Sequence, residues 1–291
     1  MIYSYKMRKL FVTILSVILS AGFVSAQDLA TVTESFNKAA EALNAGDKAA
    51  ALKQFVEVLP QAAALGAEGE AIVAQCKSAI PALYVSVAKA GIKAGDNAAA
   101  IANLENAVKT GEEYGETAAA EEAKGLIASV KVSDAVTKAS ALNQAGDFDG
   151  AAAALEAVLA DAPEANAAVV KKQLSTTYLR KASAKLKAKD MKGALEAAQK
   201  SAEYNDNATA HKIAGTAAFS LKQFQVAAQS FEAYLAMNPN AKDKTQTMYQ
   251  CGSAYQSLGD AAKACGYFKQ IAQDPKWGEG ARFQMTQLKC N

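Results

Sequence analysis

A short turn sequence recurs through the 291-residue chain, and each occurrence is followed four residues later by Ala and four residues after that by a second core candidate. Ala45-Gly46-Asp47 leads to Ala51 and Phe55, Ala94-Gly95-Asp96 to Ala100 and Leu104, and Ala145-Gly146-Asp147 to Ala151 and Leu155. Ala188-Lys189-Asp190 leads to Ala194 and Ala198, Lys222-Gln223 to Ala227 and Phe231, and Gly259-Asp260 to Ala264 and Phe268. A Gly that takes the left-handed cap ends one helix, and an Asp behind it caps the next. The two positions that follow lie one turn apart on one face of that second helix. Each occurrence therefore specifies a helix, a tight turn and a return helix.

The composition agrees. Ala, Lys, Glu, Gln and Leu dominate, Pro and aromatics are sparse, and the Val, Ile, Thr and aromatic alternation of a strand-rich chain is missing. No leucine heptad persists, so a long coiled coil is disfavoured. The pattern predicts paired helices at 28–45/47–65, 67–94/97–113, 116–144/148–161, 164–188/191–204, 207–221/224–237 and 243–258/261–273, with a terminal helix at 277–289. Pro81 is expected to kink its helix or mark its true start.

The last two units share further landmarks. Gly215, Ala227, Phe231 and Pro239 in one answer to Gly252, Ala264, Phe268 and Pro275 in the next. This order resembles the tetratricopeptide repeat, a helix-turn-helix unit of about 34 residues, across 208–276. The turns fall at Gly46, Gly95, Gly146, Lys189, Lys222 and Gly259, with spacings of 49, 51, 43, 33 and 37 residues. The first three exceed the family's period, which implies longer helices upstream. The expected fold class is all-α, an α-solenoid of about six antiparallel hairpins with a C-terminal capping helix. The expected divisions are a leader at 1–26, divergent repeats at 27–163 and closer repeats at 164–291.

The N-terminus has the parts of a secretory signal: basic Lys6, Arg8 and Lys9, an apolar stretch from Leu10 to Leu19, and small residues at Val24-Ser25-Ala26. Cleavage between Ala26 and Gln27 is expected, with the mature chain exported to the periplasm or surface of a bacterium, or secreted. The mature chain then holds 28 basic and 29 acidic residues, a net charge of −1, and is expected to give no electrostatic footprint for nucleic acid. No later apolar run is expected to cross a membrane.

An oxidising compartment makes cysteine pairing plausible. Cys265 and Cys290 lie 25 residues apart, a separation suited to a helix, a turn and a return helix, so a bridge between them would staple the cap. The alternative is two buried thiols. Cys251 falls on the Ala- and Gly-lined packing face, and Cys76 stands alone; no CxxC occurs.

Catalytic signals are missing. The single His211 has no HExxH, no GxSxG accompanies it, and neither a P-loop nor GxGxxG is present. Glu112-Glu113 and Glu121-Glu122 read as solvated charge, and Trp277 as packing in the terminal turn. No cofactor or metal is expected. In the family it resembles, first helices of successive hairpins line a groove for peptides or protein segments. Carried over, the groove positions are Thr209, Lys212, Thr216 and Ser220, then Gln246, Tyr249, Ser253 and Gln256, with Thr176, Leu179 and Ser183 in the preceding unit. Each reads equally as a solvated helix face. The set lacks the Lys/Asn/Arg combination with which some relatives clamp a C-terminal carboxylate. The expected function is a non-enzymatic protein-interaction or scaffold module of the cell envelope; the alternative is an envelope enzyme or cell-wall glycan binder using an unrecognised carboxylate site.

Overall fold

The computed structural model describes residues 26–290. The leader expected at 1–26 lies, apart from Ala26, outside them. Thirteen α-helices occur among the described residues: α1 (Ala26–Asn44), α2 (Lys48–Ala64), α3 (Glu70–Ala94), α4 (Asn97–Tyr114), α5 (Thr117–Ala145), α6 (Phe148–Leu159), α7 (Glu164–Lys187), α8 (Met191–Tyr204), α9 (Ala208–Ser220), α10 (Phe224–Met237), α11 (Lys244–Ser257), α12 (Ala261–Ile271) and α13 (Gly278–Gln287). They form six hairpins and a terminal helix, an all-α fold of the α-solenoid class with tetratricopeptide-like hairpins. The turns explain the pairing. Asp47, Asp96, Asp147, Asp190 and Asp260 each accept a backbone N–H three residues ahead, at 2.9–3.1 Å. Gly259 ahead of the last of these takes φ 81°. Lys189 and Lys222 occupy the same left-handed region at φ 61°, and Gln223 contributes no side-chain cap. Those two turns therefore carry backbone strain that the glycine turns avoid.

The described residues divide into two compact units, 26–130 and 131–290, with the division inside α5. Pro163, where the sequence suggested a change of regularity, is a joint within the second unit, immediately before α7.

In the first unit, α1, α2 and α3 enclose Val32, Phe36, Leu52, Phe55, Val58, Ile80 and Leu83. Phe36 meets Phe55 edge to face, with centroids 5.4 Å apart. A second cluster joins Val85 and Ala88 of α3 to Ala100, Leu104 and Ala107 of α4 and Ala123 of α5. Two expectations change here. Helix α3 runs through Pro81 instead of starting at it, with Pro81 buried. The segment Gly66–Ala94 is also long and apolar enough, by length and composition, to cross a membrane. Contrary to expectation, it passes that test although Glu68, Glu70, Lys77, Lys89 and Lys93 interrupt its apolar residues. In the fold it packs between α2 and α4, burying Cys76, Ala79, Ile80, Leu83, Val85 and Ala88.

In the second unit a continuous core runs from Val132 through Leu155, Leu174, Phe231 and Phe268 to Ala281. Its repeating element is an aromatic ring from the second helix of a hairpin lying against a glycine of the first. A Cβ on Gly215 would stand 2.7 Å from the Phe231 ring, and one on Gly252 would stand 2.9 Å from that of Phe268. Both rings are fully buried, which removes roughly 1.5–3 kcal/mol of apolar surface apiece from water. These glycines permit a close approach, and the approaching group is the ring of the hairpin's second helix.

Gly215→Ala should destabilise the protein by about 1–3 kcal/mol through overpacking. Gly266→Ala, where a Cβ meets nothing within 4 Å on an exposed helix face, should stabilise it by up to about 1 kcal/mol. Denaturant unfolding of the two variants checks the opposite signs. Lys222→Gly should raise the unfolding midpoint, by roughly 1 kcal/mol of relieved left-handed strain; an unchanged or lower midpoint would count against strain at that turn.

Candidate binding surfaces

The first helices of the fifth and sixth hairpins, α9 and α11, present the positions expected to line a groove. Thr209, Ser220 and Gln246 are exposed, and Lys212, Thr216, Tyr249, Ser253 and Gln256 are half-buried. On α7, Thr176 is exposed and Leu179 and Ser183 are half-buried. The hydroxyls of Thr176, Thr216, Ser220 and Ser253 each donate to the carbonyl four residues back, at 2.9–3.0 Å. Their protons are therefore used within their own helices, and what they offer outward is acceptor lone pairs.

Three of the eight positions are engaged elsewhere. Lys212 pairs with Asp243 at 2.5 Å and lies 5.8 Å from the centre of the Tyr234 ring. The Tyr234 hydroxyl donates to the same carboxylate at 2.6 Å, and burial together with that hydrogen bond pushes the phenol up to about 12. Tyr249 packs against Phe268 and Trp277, with centroids 5.5 and 5.1 Å away. Gln256 donates to Gln284 of α13 at 2.8 Å. The terminal helix thus covers part of the surface of the sixth hairpin. Trp277 packs in the terminal turn, as its position suggested.

Two polar clusters tie successive hairpins together. Glu156 of α6 accepts from Tyr178 of α7 at 2.9 Å and Tyr204 of α8 at 3.0 Å. The two rings stack at 5.8 Å, and Lys200 lies 5.2 Å from the Tyr178 centroid. Glu232 of α10 repeats the arrangement with Tyr255 of α11 at 2.7 Å and Tyr267 of α12 at 3.1 Å, with Lys263 lying 4.6 Å from the Tyr255 centroid. Burial, then the carboxylate each phenol donates to, pushes Tyr178 and Tyr204 up to about 12, so they remain protonated donors at neutral pH. No simple sequence spacing announced these clusters. Tyr178 and Tyr255 occupy different turns of their helices relative to the hairpin bend, and their convergence on a Glu depends on how neighbours stack.

A third network surrounds Asn207, the N-cap of α9. Its Oδ1 accepts from Ala210 N at 2.9 Å, and its Nδ2 donates to Ser175 Oγ, Ser201 Oγ and Asn205 O at 3.0–3.3 Å. Ser175 and Ser201 are buried, and these bonds satisfy them. Asn207-Ala208-Thr209 also has the Asn-x-Thr pattern of a glycosylation acceptor. His211 is half-buried in the first turn of α9, with Nε2 2.5 Å from Asp206 Oδ1.

Two clefts lie in this unit. One of about 350 Å³ is lined by Ala198, Ala202, His211, Ala214, Val226 and neighbours. Ala198 stands where Phe231 and Phe268 stand in later hairpins. The other, of about 510 Å³, is lined by Asp149, Tyr178, Lys181, Lys185, Asp190, Lys192, Gly193, Glu196, Ala197 and Lys200. Among the described residues no group of three or more His, Cys, Asp or Glu side chains is placed to hold a metal ion.

Cys265 and Cys290 come together as a disulfide-compatible pair, with Cα atoms 5.6 Å apart. Cys76 and Cys251 are buried, and burial pushes both thiols up to about 12, which leaves them protonated and inert. The turn into α13 is held by Asp274, whose carboxylate accepts from Trp277 N at 2.8 Å and Lys276 N at 2.9 Å. These bonds keep it below the usual carboxylate range. Otherwise α13 buries only Gly278 and Ala281.

No family model matches the chain, and no curated protein matches it. Among solved structures, a MamA protein is similar with TM-score 0.32 and 17% identity, covering 68% of this chain and 94% of that one. The tetratricopeptide protein TTC0263 of Thermus thermophilus is similar with TM-score 0.28 and 17% identity, covering 72% and 100%. The tetratricopeptide domain of P58(IPK) gives TM-score 0.35 and 17% identity, covering 89% and 64%. The fold class rests on the hairpins themselves.

Non-reducing mass spectrometry of the protein isolated with its thiols blocked should recover the 265 and 290 peptides linked. In that oxidised protein Cys290→Ser should accelerate amide exchange across 278–287 and shift Trp277 fluorescence, with a loss of roughly 3 kcal/mol in the chain-entropy description of a cross-link. Unlinked peptides, or an unchanged cap in the variant, would remove the staple from this account.

Proposed function

We propose that this protein is a non-enzymatic interaction module, exported to the cell envelope of a bacterium, that takes up a peptide or protein segment along the first helices of its C-terminal hairpins. The observation that carries this reading is the surface of α9 and α11. Thr209, Thr216, Ser220, Gln246 and Ser253 lie on successive first helices, outside the core and outside the clusters that tie the hairpins together. The hydroxyls of Thr216, Ser220 and Ser253 are turned into acceptors by their own helices, while Gln246 offers both donor and acceptor. Such a surface suits the N–H groups of an extended segment better than a carboxylate terminus, which would need cationic donors. Lys212, the one cation among these positions, already has Asp243.

Export rests on the leader: a basic start, an apolar stretch and small residues before Gln27. The mature protein should begin at Gln27 by N-terminal sequencing and fractionate with the envelope.

Cross-linking in intact cells followed by pull-down should recover a reproducible partner with the native chain. Thr216→Arg/Ser253→Arg, which fills the surface with two long cations without touching the core, should lose that partner by at least tenfold while retaining its helical circular dichroism. Recovery of the same partner at full yield by the double variant would move binding off this surface. Turnover of purified peptidoglycan fragments by the native chain would replace the interaction reading with an enzymatic one.

A further inference from the structure

The near-neutral mature chain conceals a strong separation of charge. Residues 27–170 hold 10 basic and 20 acidic residues, whereas residues 171–200 hold nine basic and two acidic. The basic stretch is the hairpin of α7 and α8, and the structure gathers part of it into one place. Lys181 and Lys185, one turn apart on α7, and Lys192 and Lys200 on α8 all line the cleft of about 510 Å³, which also contains the Tyr178 ring and Ala197.

These lysines are weakly committed. Lys181 pairs with Asp149 at 2.5 Å, but the Asp149 side chain is 80% exposed. Lys185 pairs with Asp190 at 2.9 Å, with both side chains about two-fifths exposed. Pairs with an exposed partner of this kind add little to stability and exchange readily for another carboxylate. Among the described residues neither Lys192 nor Lys200 makes an ion pair; Lys200 lies beside the Tyr178 ring. Arg180, Lys187 and Lys189, elsewhere on the same hairpin, add to the positive field.

The signs in the cleft also select the kind of anion. Asp149, Asp190 and Glu196 stand among the four lysines. A uniformly charged phosphate polymer or an anionic membrane would press charge against all three carboxylates. A polypeptide sets its carboxylates at discrete points and places apolar or neutral groups between them, which matches lysines dispersed around Tyr178 and Ala197. Around α7, the cleft positions 178, 181 and 185 lie roughly 160° from the groove positions 176, 179 and 183, given 100° per residue, so this surface is separate from the one proposed above.

We infer that the α7–α8 cleft is a docking site for an acidic polypeptide segment, whose Asp or Glu side chains pair with Lys192 and Lys200 and displace Asp149 from Lys181. The inference does not rest on the α9–α11 groove.

Fluorescence anisotropy of a labelled peptide with three Glu separated by Ala and Leu, Glu-Ala-Leu-Glu-Ala-Leu-Glu, with the mature chain provides the test. Binding should be measurable at low ionic strength, weaken as salt is added, and fall at least tenfold in Lys192→Glu/Lys200→Glu. Lys242→Glu/Lys244→Glu, an equal charge change at exposed positions elsewhere in the same unit, should alter it less than twofold, and Thr216→Arg/Ser253→Arg should not reduce it. Should the reversed variant fail to fold by circular dichroism, Lys192→Gln/Lys200→Gln carries the same comparison, with a loss of at least threefold expected. No binding at low ionic strength, or equal losses in the cleft and control variants, would overturn the inference. So would a chain that leaves the peptide unbound yet sediments with phosphatidylglycerol vesicles through these same lysines.

Discussion

In the second unit, the packing depends on a ring seated where a side chain is missing. Phe231 lies against Gly215 and Phe268 against Gly252, each ring fully buried and each glycine leaving space that a Cβ would take away. The contact sets how closely the two helices of a hairpin lie. That closeness makes Ala227, Ala228 and Ala264 sufficient as core residues, since larger side chains have no volume to fill. Where the ring is replaced by Ala198, a cleft borders the position.

Closely packed small residues give little apolar area per hairpin, so neighbours must supply the rest. Part of the coupling is polar. Glu156 and Glu232 each receive two tyrosine hydroxyls from the next hairpin, with a lysine beside the stacked rings. Burial raises these phenols, which stay protonated, so each carboxylate has two protein donors beside its contact with water. Helix α13 follows α12. It covers the face of α12 with two buried small residues, the Trp277–Tyr249 contact, the Asp274 turn and the Cys265–Cys290 pair.

The surfaces divide by chemistry. The first helices of the last two hairpins present neutral acceptors, while the α7–α8 hairpin presents lysines interspersed with carboxylates. The excess of nine basic over two acidic residues in 171–200 was readable in the sequence. A near-zero net charge conceals it, because the acidic excess of 27–170 offsets it.

The turns were legible because they are local. A residue that tolerates positive φ, an Asp with a backbone N–H three residues ahead, and Ala four residues on together specify a helix end and the next start. Even Lys189 and Lys222 announced their bends by position. The core faces and the proximity of Cys265 to Cys290 followed from the same register. Contacts between hairpins were not legible. Tyr249 and Gln256 sit at groove positions by spacing, yet meet Trp277 and Gln284 because α13 folds back over them. Lys212 reads as a free cation until Asp243 arrives from beyond the following helix. The length and apolarity of Gly66–Ala94 are properties of the chain, but its position between α2 and α4 belongs to the fold. The sequence by itself determined where each helix begins, ends and turns its apolar face, because those choices are settled within a few residues of backbone. Tertiary structure decided which polar side chains remain available to a partner, because that depends on what a neighbouring hairpin has already paired.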